Sequence, residues 1–244
     1  MKKITFTLFS CLIMLISYSQ QQFIVKGKIE FERKTNLHKQ LDNNSWSEMM
    51  KKSLPQFKTD YFDLYFSGDK TLYKPGKEVA QQKIPDWFNG PANDNVVFND
   101  IHEGKFSSQK AVFENTFLIQ DSLRKMNWKI TPDTRTIAGF DCRKATAIIM
   151  DTVFVVAFYT DQIVTPGGPE SFTGLPGMIL GLAIPRMNIT WFATKLEMIE
   201  VKDVDAMAPK KGKKTNIADL NNQLKSSLKD WGKDGQRFIW RILI

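Results

Sequence analysis

Apolar and polar residues alternate soon after the start of the chain: Phe23, Val25, Gly27, Ile29 and Phe31 interleave with Lys26, Lys28, Glu30 and Glu32. That period of two predicts a half-buried strand with one face in a core and the other in water. The aromatic-rich run 57–66 (Tyr61, Phe62, Leu64, Tyr65, Phe66) predicts a second strand, and Gly68-Asp69 marks a turn into Thr71-Leu72-Tyr73. Strand-like runs at 96–98, 111–113 and 116–119, separated by polar or glycine-containing turns, predict a meander. The runs 128–130 and 135–138 flank Thr131-Pro132-Asp133-Thr134, which has proline at the second position of a turn. The runs 145–150 and 153–159 flank Asp151-Thr152 as a hairpin. Its second arm is apolar at every position, which predicts burial on both faces and a central place in the sheet. Further strands are predicted at 178–184 and at 188–201, the latter with Trp191, Phe192, Leu196 and Met198. At the end, Phe238, Trp240, Ile242 and Ile244 alternate with Arg237 and Arg241 across 237–244, predicting a strand that closes the sheet.

Helical spacing is confined to two places. In 41–54, Trp46, Met49 and Met50 precede Pro55, predicting a short amphipathic helix or an irregular lid. Near the end, Thr215 or Asn216 can cap a helix carrying Ile217, Leu220, Leu224, Leu228 and Trp231, with Gly232 just past it. Between these elements, 74–94 reads as a long surface loop, and 209–214 as a solvated basic loop. The most constrained segment is 167–180, where Leu175-Pro176-Gly177-Met178 has the residues of a type II turn: proline presets φ at the second position and glycine accepts a positive φ at the third. Proline also forces Leu175 extended, delivering the chain into the strand that follows. The expectation is a mainly β protein: a single domain over 20–244 whose curved antiparallel sheet, open or a half-barrel, has a C-terminal helix packed on it.

The first residues alter the compartment. Met1-Lys2-Lys3, the apolar run 4–16, and the small residues Ser17 and Ser19 have the pattern of a secretory signal peptide over 1–19. The run is well short of the roughly 20 residues that span a bilayer, so no transmembrane span is expected after cleavage. The expected destination is the periplasm, the outer membrane or the exterior. Loss of Lys2 and Lys3 takes the formal charge from +8 to +6, a balance that favours weak contact with anionic surfaces through Lys210, Lys211, Lys213 and Lys214. Of the two cysteines, Cys11 leaves with the signal segment, so Cys142 has no internal disulfide partner and stability must come from packing. The 42% apolar and 12% aromatic content can fill such a core.

Candidate chemistry is sparse. The only histidines, His38 and His102, lie in distant segments, and no cysteine or histidine cluster has metal-ligand spacing, so neither metal nor cofactor is expected. The glycines near 167–177 lack the Lys-Ser or Lys-Thr of a P-loop, and no nucleic-acid-binding motif occurs, so no nucleic-acid partner is expected. Cys142 stands between Asp141 and Arg143-Lys144, where adjacent cations favour a thiolate; lone cysteines in strands are more often buried apolar residues. Asp161 and Glu170 bracket the glycine-rich segment as a candidate carboxylate pair. Trp46, Trp87 and Trp191 have the character of a ligand groove or of an ordinary β core.

Four separated motifs carry a family resemblance: Gly174-Leu175-Pro176-Gly177-Met178-Ile179, Trp128-Lys129-Ile130, the run 137–145, and Ala157-Phe158-Tyr159-Thr160, with Gly168-Pro169-Glu170 as lead-in to the first. In this order they resemble the GLPGLI family of exported Bacteroidetes proteins, with Met178 in place of the family's leucine and Phe158 where many members have tryptophan. The resemblance makes Gly168, Pro169, Gly174, Leu175, Pro176 and Gly177 a structural motif and implies no established reaction. A related domain is similar to the bowl-shaped N-terminal module of a bacterial type II peptide N-glycanase, which implies an accessory role. The expected function is therefore a non-catalytic binding or accessory module of the cell envelope for a peptide, glycan or envelope partner. The alternative is a secreted hydrolase using Cys142 or the Asp161 and Glu170 carboxylates.

Overall fold

The computed structural model describes residues 23–41, 44–79, 84–85, 90–201 and 204–244. The predicted signal segment, Cys11 and Trp87 lie outside the described residues. A first run of strands comprises β1 (Lys26–Asn36), β2 (Phe57–Ser67), β3 (Lys70–Pro75), β4 (Val96–Asp100), β5 (Lys105–Val112) and β6 (Asn115–Ser122). A second comprises β7 (Lys129–Ile137), β8 (Phe140–Ile149), β9 (Val153–Thr160), β10 (Met178–Ile184) and β11 (Ile189–Glu197), with β12 (Lys213–Thr215) following. All twelve form one open sheet in the order β12-β6-β5-β4-β3-β2-β1-β11-β10-β9-β8-β7. Two meanders are thus joined where β1 pairs antiparallel with β11. Among the described strands, only β12, beside β6, is parallel to its neighbour.

The core lies on one face of this curved sheet because strand parity puts it there. Ile29 and Phe31 of β1, Phe62, Leu64 and Phe66 of β2, and Val155, Ala157 and Tyr159 of β9 are all buried in one apolar cluster. Two helices close that face: α2 (Ile217–Ser227) and α3 (Gly232–Leu243). They contribute Leu220, Leu224, Ile239, Trp240, Ile242 and Leu243 to the same cluster, joined by Leu228 at the end of α2. The Asn216 side chain caps α2, its Oδ1 accepting from the Asp219 amide at 2.8 Å.

Five local expectations are corrected. The alternation at 237–244 is wound into α3, because Gly235, Ile239 and Leu243, spaced by four, are buried together with Trp240 and Ile242. A short apolar run satisfies both periods, and packing against α2 selects the helix. Pro132 makes no hairpin turn: β7 runs through it with a register shift between Ile130 and Thr134, and a proline is tolerated in a bulge of a strand at the sheet edge. The turn into β8 is made instead by Ala138 and Gly139, both at positive φ. β9 is third from one edge, and Phe154 is 46% exposed, so its outer face is not covered. Lys213 and Lys214 are in edge strand β12, not in a loop, although all four predicted surface lysines are exposed. Finally, α1 (Ser45–Ser53) forms, but Trp46 and Met49 face outward and Ser47 is its buried residue.

Candidate functional site

The segment between β9 and β10 threads across the end of the core. Gly168, Pro169, Glu170, Leu175 and Gly177 are buried, whereas Gly174 and Pro176 reach the surface. The bend at Pro176 is tighter than a type II turn, since the Gly177 amide donates to the Leu175 carbonyl at 2.8 Å, the spacing of a γ-turn at a strand entrance. The Met178 amide turns instead to the Ile163 carbonyl. Gly177 keeps a positive φ of 135°. The same segment holds Glu170 at a φ of 54°, unusual for a residue with a side chain, and so turns its carboxylate inward.

Glu170 borders a small cavity whose other walls come from distant parts of the chain: Arg33 of β1, Lys58 of β2, Asn95 before β4, Trp191 of β11 and Arg241 of α3. Arg33 is 5% exposed. Its Nη2 lies 2.9 Å from Asp60 Oδ2 and donates to Asn93 Oδ1 at 2.6 Å. Its guanidinium also sits 4.6 Å over the Phe62 ring, which stacks on Tyr73 at 4.7 Å. Trp191 Nε1–H donates to the Tyr73 hydroxyl at 3.0 Å, so this buried tryptophan braces the wall. Lys58 Nζ donates to Asn93 Oδ1 at 3.1 Å and lies 3.3 Å from Asp60. Burial pulls the Lys58 ammonium below its ordinary pKa, with Asp60 opposing.

Behind the cavity, the Glu170 carboxylate accepts from Asn95 Nδ2 at 3.1 and 3.0 Å and lies 3.8 Å from Lys110 Nζ. Burial lowers the Lys110 pKa, against the pull of Glu170. Arg241 has no ion pair or hydrogen bond among the described residues. Burial, and then repulsion from Arg33 and Arg237, pull its pKa to about 10. The cavity holds about 40 Å³, room for roughly three waters.

A surface of different character adjoins it. Phe113, at the tip of the β5–β6 hairpin, is 53% exposed, and Trp231 is 50% exposed. Their ring centroids lie 6.1 Å apart, and Phe238 of α3 completes a triangle at 6.2 and 5.6 Å. Phe113 occupies a positive φ of 53° in a two-residue connection, where glycine is the usual choice. Gly90 joins the two surfaces: a Cβ there would stand 3.1 Å from Arg241 Nη1 and 3.9 Å from Phe238 Cε1.

The predicted catalytic residues are not brought together. Cys142 is fully buried in β8, and burial pushes its thiol up to about 11, opposite to the effect expected of the neighbouring cations. Asp161 is exposed and ion-paired to Arg143 at 2.9 Å, while Glu170 is buried against Asn95 and Lys110, so the two carboxylates share no partner. Trp46 lies on the outer face of α1, away from the walls of the Trp191 cavity. Among the described residues, no group of three His, Cys, Asp or Glu residues is placed to hold a metal ion. Sequence reading missed Arg33, Lys58, Lys110 and Arg241. Strand parity carried a signal for two of them: Arg33 follows Ile29 and Phe31 on the inward side of β1, and Lys110 lies between Phe106 and Val112 on the inward side of β5.

An open twelve-stranded, largely antiparallel sheet with its main core on one face, closed by C-terminal helices, carries a cationic cavity beside a cluster of aromatics. Residues 77–222 match the family described as the N-glycanase peptide N-terminal domain, and the chain belongs to that family. The fold is similar to that of PNGF-II solved in space groups P21 and C2, with TM-scores of 0.53 and 0.52 and 15% identity to each. Each alignment covers 81% of this chain and 32% of the other, so the chain spans about a third of the length of those structures. No curated protein matches the sequence. Among the described residues, no helix is long and apolar enough to cross a membrane.

Proposed function

We propose that the protein is an exported, non-catalytic accessory module of the cell envelope that binds a glycan or the glycosylated segment of a peptide. The observation that carries this reading is the aromatic cluster in which Phe113 and Trp231 are about half exposed and the half-buried Phe238 lies between them and the core. The exposed parts of Phe113 and Trp231 offer aromatic surface to the C–H side of a sugar, and Phe113 is held there at a positive φ that a side-chain-bearing residue seldom adopts. Membership of an N-glycanase N-terminal family supports a glycan-related role, and the GLPGLI resemblance supports export. The burial of Cys142 and the separate engagements of Asp161 and Glu170 weigh against a hydrolase that uses them.

The test is calorimetric titration of the purified protein with an N-glycopeptide, with the same peptide lacking the glycan, and with the released glycan, while mass spectrometry follows the ligands for bond cleavage. Binding of the glycosylated ligands, weakened about tenfold by Trp231→Ala, is expected. Cleavage of the ligand, or equal binding of the bare peptide, would overturn the reading.

A further inference from the structure

We propose that the cavity bounded by Arg33, Lys58 and Arg241 is a binding site for an anionic group, a carboxylate, sulfate or phosphate, borne by the sugar that rests on the aromatic cluster. This inference rests on the carbohydrate reading for its ligand, but its own support is separate.

Charge is the first support. Arg33, Lys58 and Arg241 line the cavity and Lys110 lies behind it on Glu170, with Asp60 and Glu170 as the carboxylates that contact these cations, and Asp94 also faces Lys58. Asp60 is shared by Arg33 and Lys58, and Glu170 is engaged by Asn95 and Lys110. Arg241 is left beside Arg33 with no carboxylate among the described residues, an arrangement that burial and like-charge repulsion make unfavourable without an anion.

Unused hydrogen-bonding capacity is the second. Arg33 Nε is buried and has no acceptor, and Asn95 Oδ1 is buried and has no donor. Both residues line the cavity and both are more than nine-tenths buried. Buried polar atoms are rarely left without a partner, and here an oxyanion with a neighbouring hydroxyl supplies both an acceptor for Arg33 and a donor for Asn95.

Size is the third. A cavity of about 40 Å³ admits the few heavy atoms of a carboxylate or a comparable oxyanion, and excludes a pyranose ring. The ring must then lie outside, and Phe238 of the aromatic cluster adjoins Arg241 at Gly90. Charged acid and sugar ring are therefore recognised by adjacent but different surfaces.

The experiment compares a sialylated N-glycopeptide, the same glycopeptide after removal of sialic acid, and inorganic sulfate, each titrated into the wild type and into Arg241→Met. Methionine keeps the apolar stem and removes the charge, and thermal melting monitors the fold. The sialylated ligand is expected to bind at least tenfold more tightly than its neutral form, with that preference screened at high salt and abolished by Arg241→Met. The variant is expected to melt no lower than the wild type, since it relieves an uncompensated charge. Sulfate binding that depends on Arg241, without binding of either glycopeptide, would support the anion site while removing the carbohydrate reading. Equal binding of sialylated and neutral glycopeptide, unaffected by Arg241→Met, would overturn the anion site and leave the carbohydrate reading standing. Absence of binding by all three probes would overturn both.

Discussion

At Gly177 the backbone leaves no space for a side chain. A Cβ there would fall 2.0 Å from the Thr160 carbonyl oxygen, and the φ of 135° is itself unfavourable for any other residue. Gly177→Ala is therefore expected to cost about 3–5 kcal/mol, lowering the melting temperature by on the order of 10 °C in a chain of this length. A melt unchanged from the wild type would show that the bend is not held as described. Cys142 permits a chemical test at the same scale. With its thiol buried and pushed up to about 11, it should resist a disulfide reagent at pH 8 in the native protein and react fully in denaturant, using a Cys11→Ser background. The native thiol keeps its proton between pH 9 and about 11 while the unfolded thiol loses it, so stability is lost as pH rises through that window. Relative to Cys142→Ala, the wild type should lose about 2–3 kcal/mol across it, measured by denaturant unfolding.

At the level of elements, α3 distinguishes two readings of the same residues. A strand at 237–244 would turn Ile239 and Leu243 away from the core, whereas the helix buries both, at 5% and 6% exposure. Ile239→Ala should accordingly cost about 2–4 kcal/mol in chemical denaturation, and Arg237→Ala, on the exposed side, less than about 0.5 kcal/mol. The reverse ranking would restore the strand. The same element positions Arg241 beside the cavity and Phe238 in the aromatic cluster, three residues apart and so on one side of the helix. β7 shows how an element can continue through a residue that ordinarily ends it: at the edge of the sheet Pro132 lies within a register shift, where no interior ladder is broken.

Across the whole molecule, one sheet connects every strand, and its core cluster runs from β1 through β11 to both C-terminal helices. Thermal unfolding followed by tryptophan fluorescence and by far-ultraviolet circular dichroism should therefore give coincident single transitions; two separated transitions would divide the domain. Alternation along the chain determined most of this by itself, because a strand's two faces are written in its sequence with a period of two: β1, β2, β4, β6, the β8–β9 hairpin and β10 were legible, as was the capped start of α2. Of β5 the end alone was legible, its run being read at 111–113 although the strand is Lys105–Val112 and Phe113 makes the turn. Only the tertiary structure decided the rest. The last apolar run satisfied two periods until α2 offered it a surface, and Pro132 was a turn signal until its strand became an edge. The cavity brings together residues as far apart in the chain as Arg33 and Arg241, whose charges acquire meaning only when folding removes water and sets them against one another.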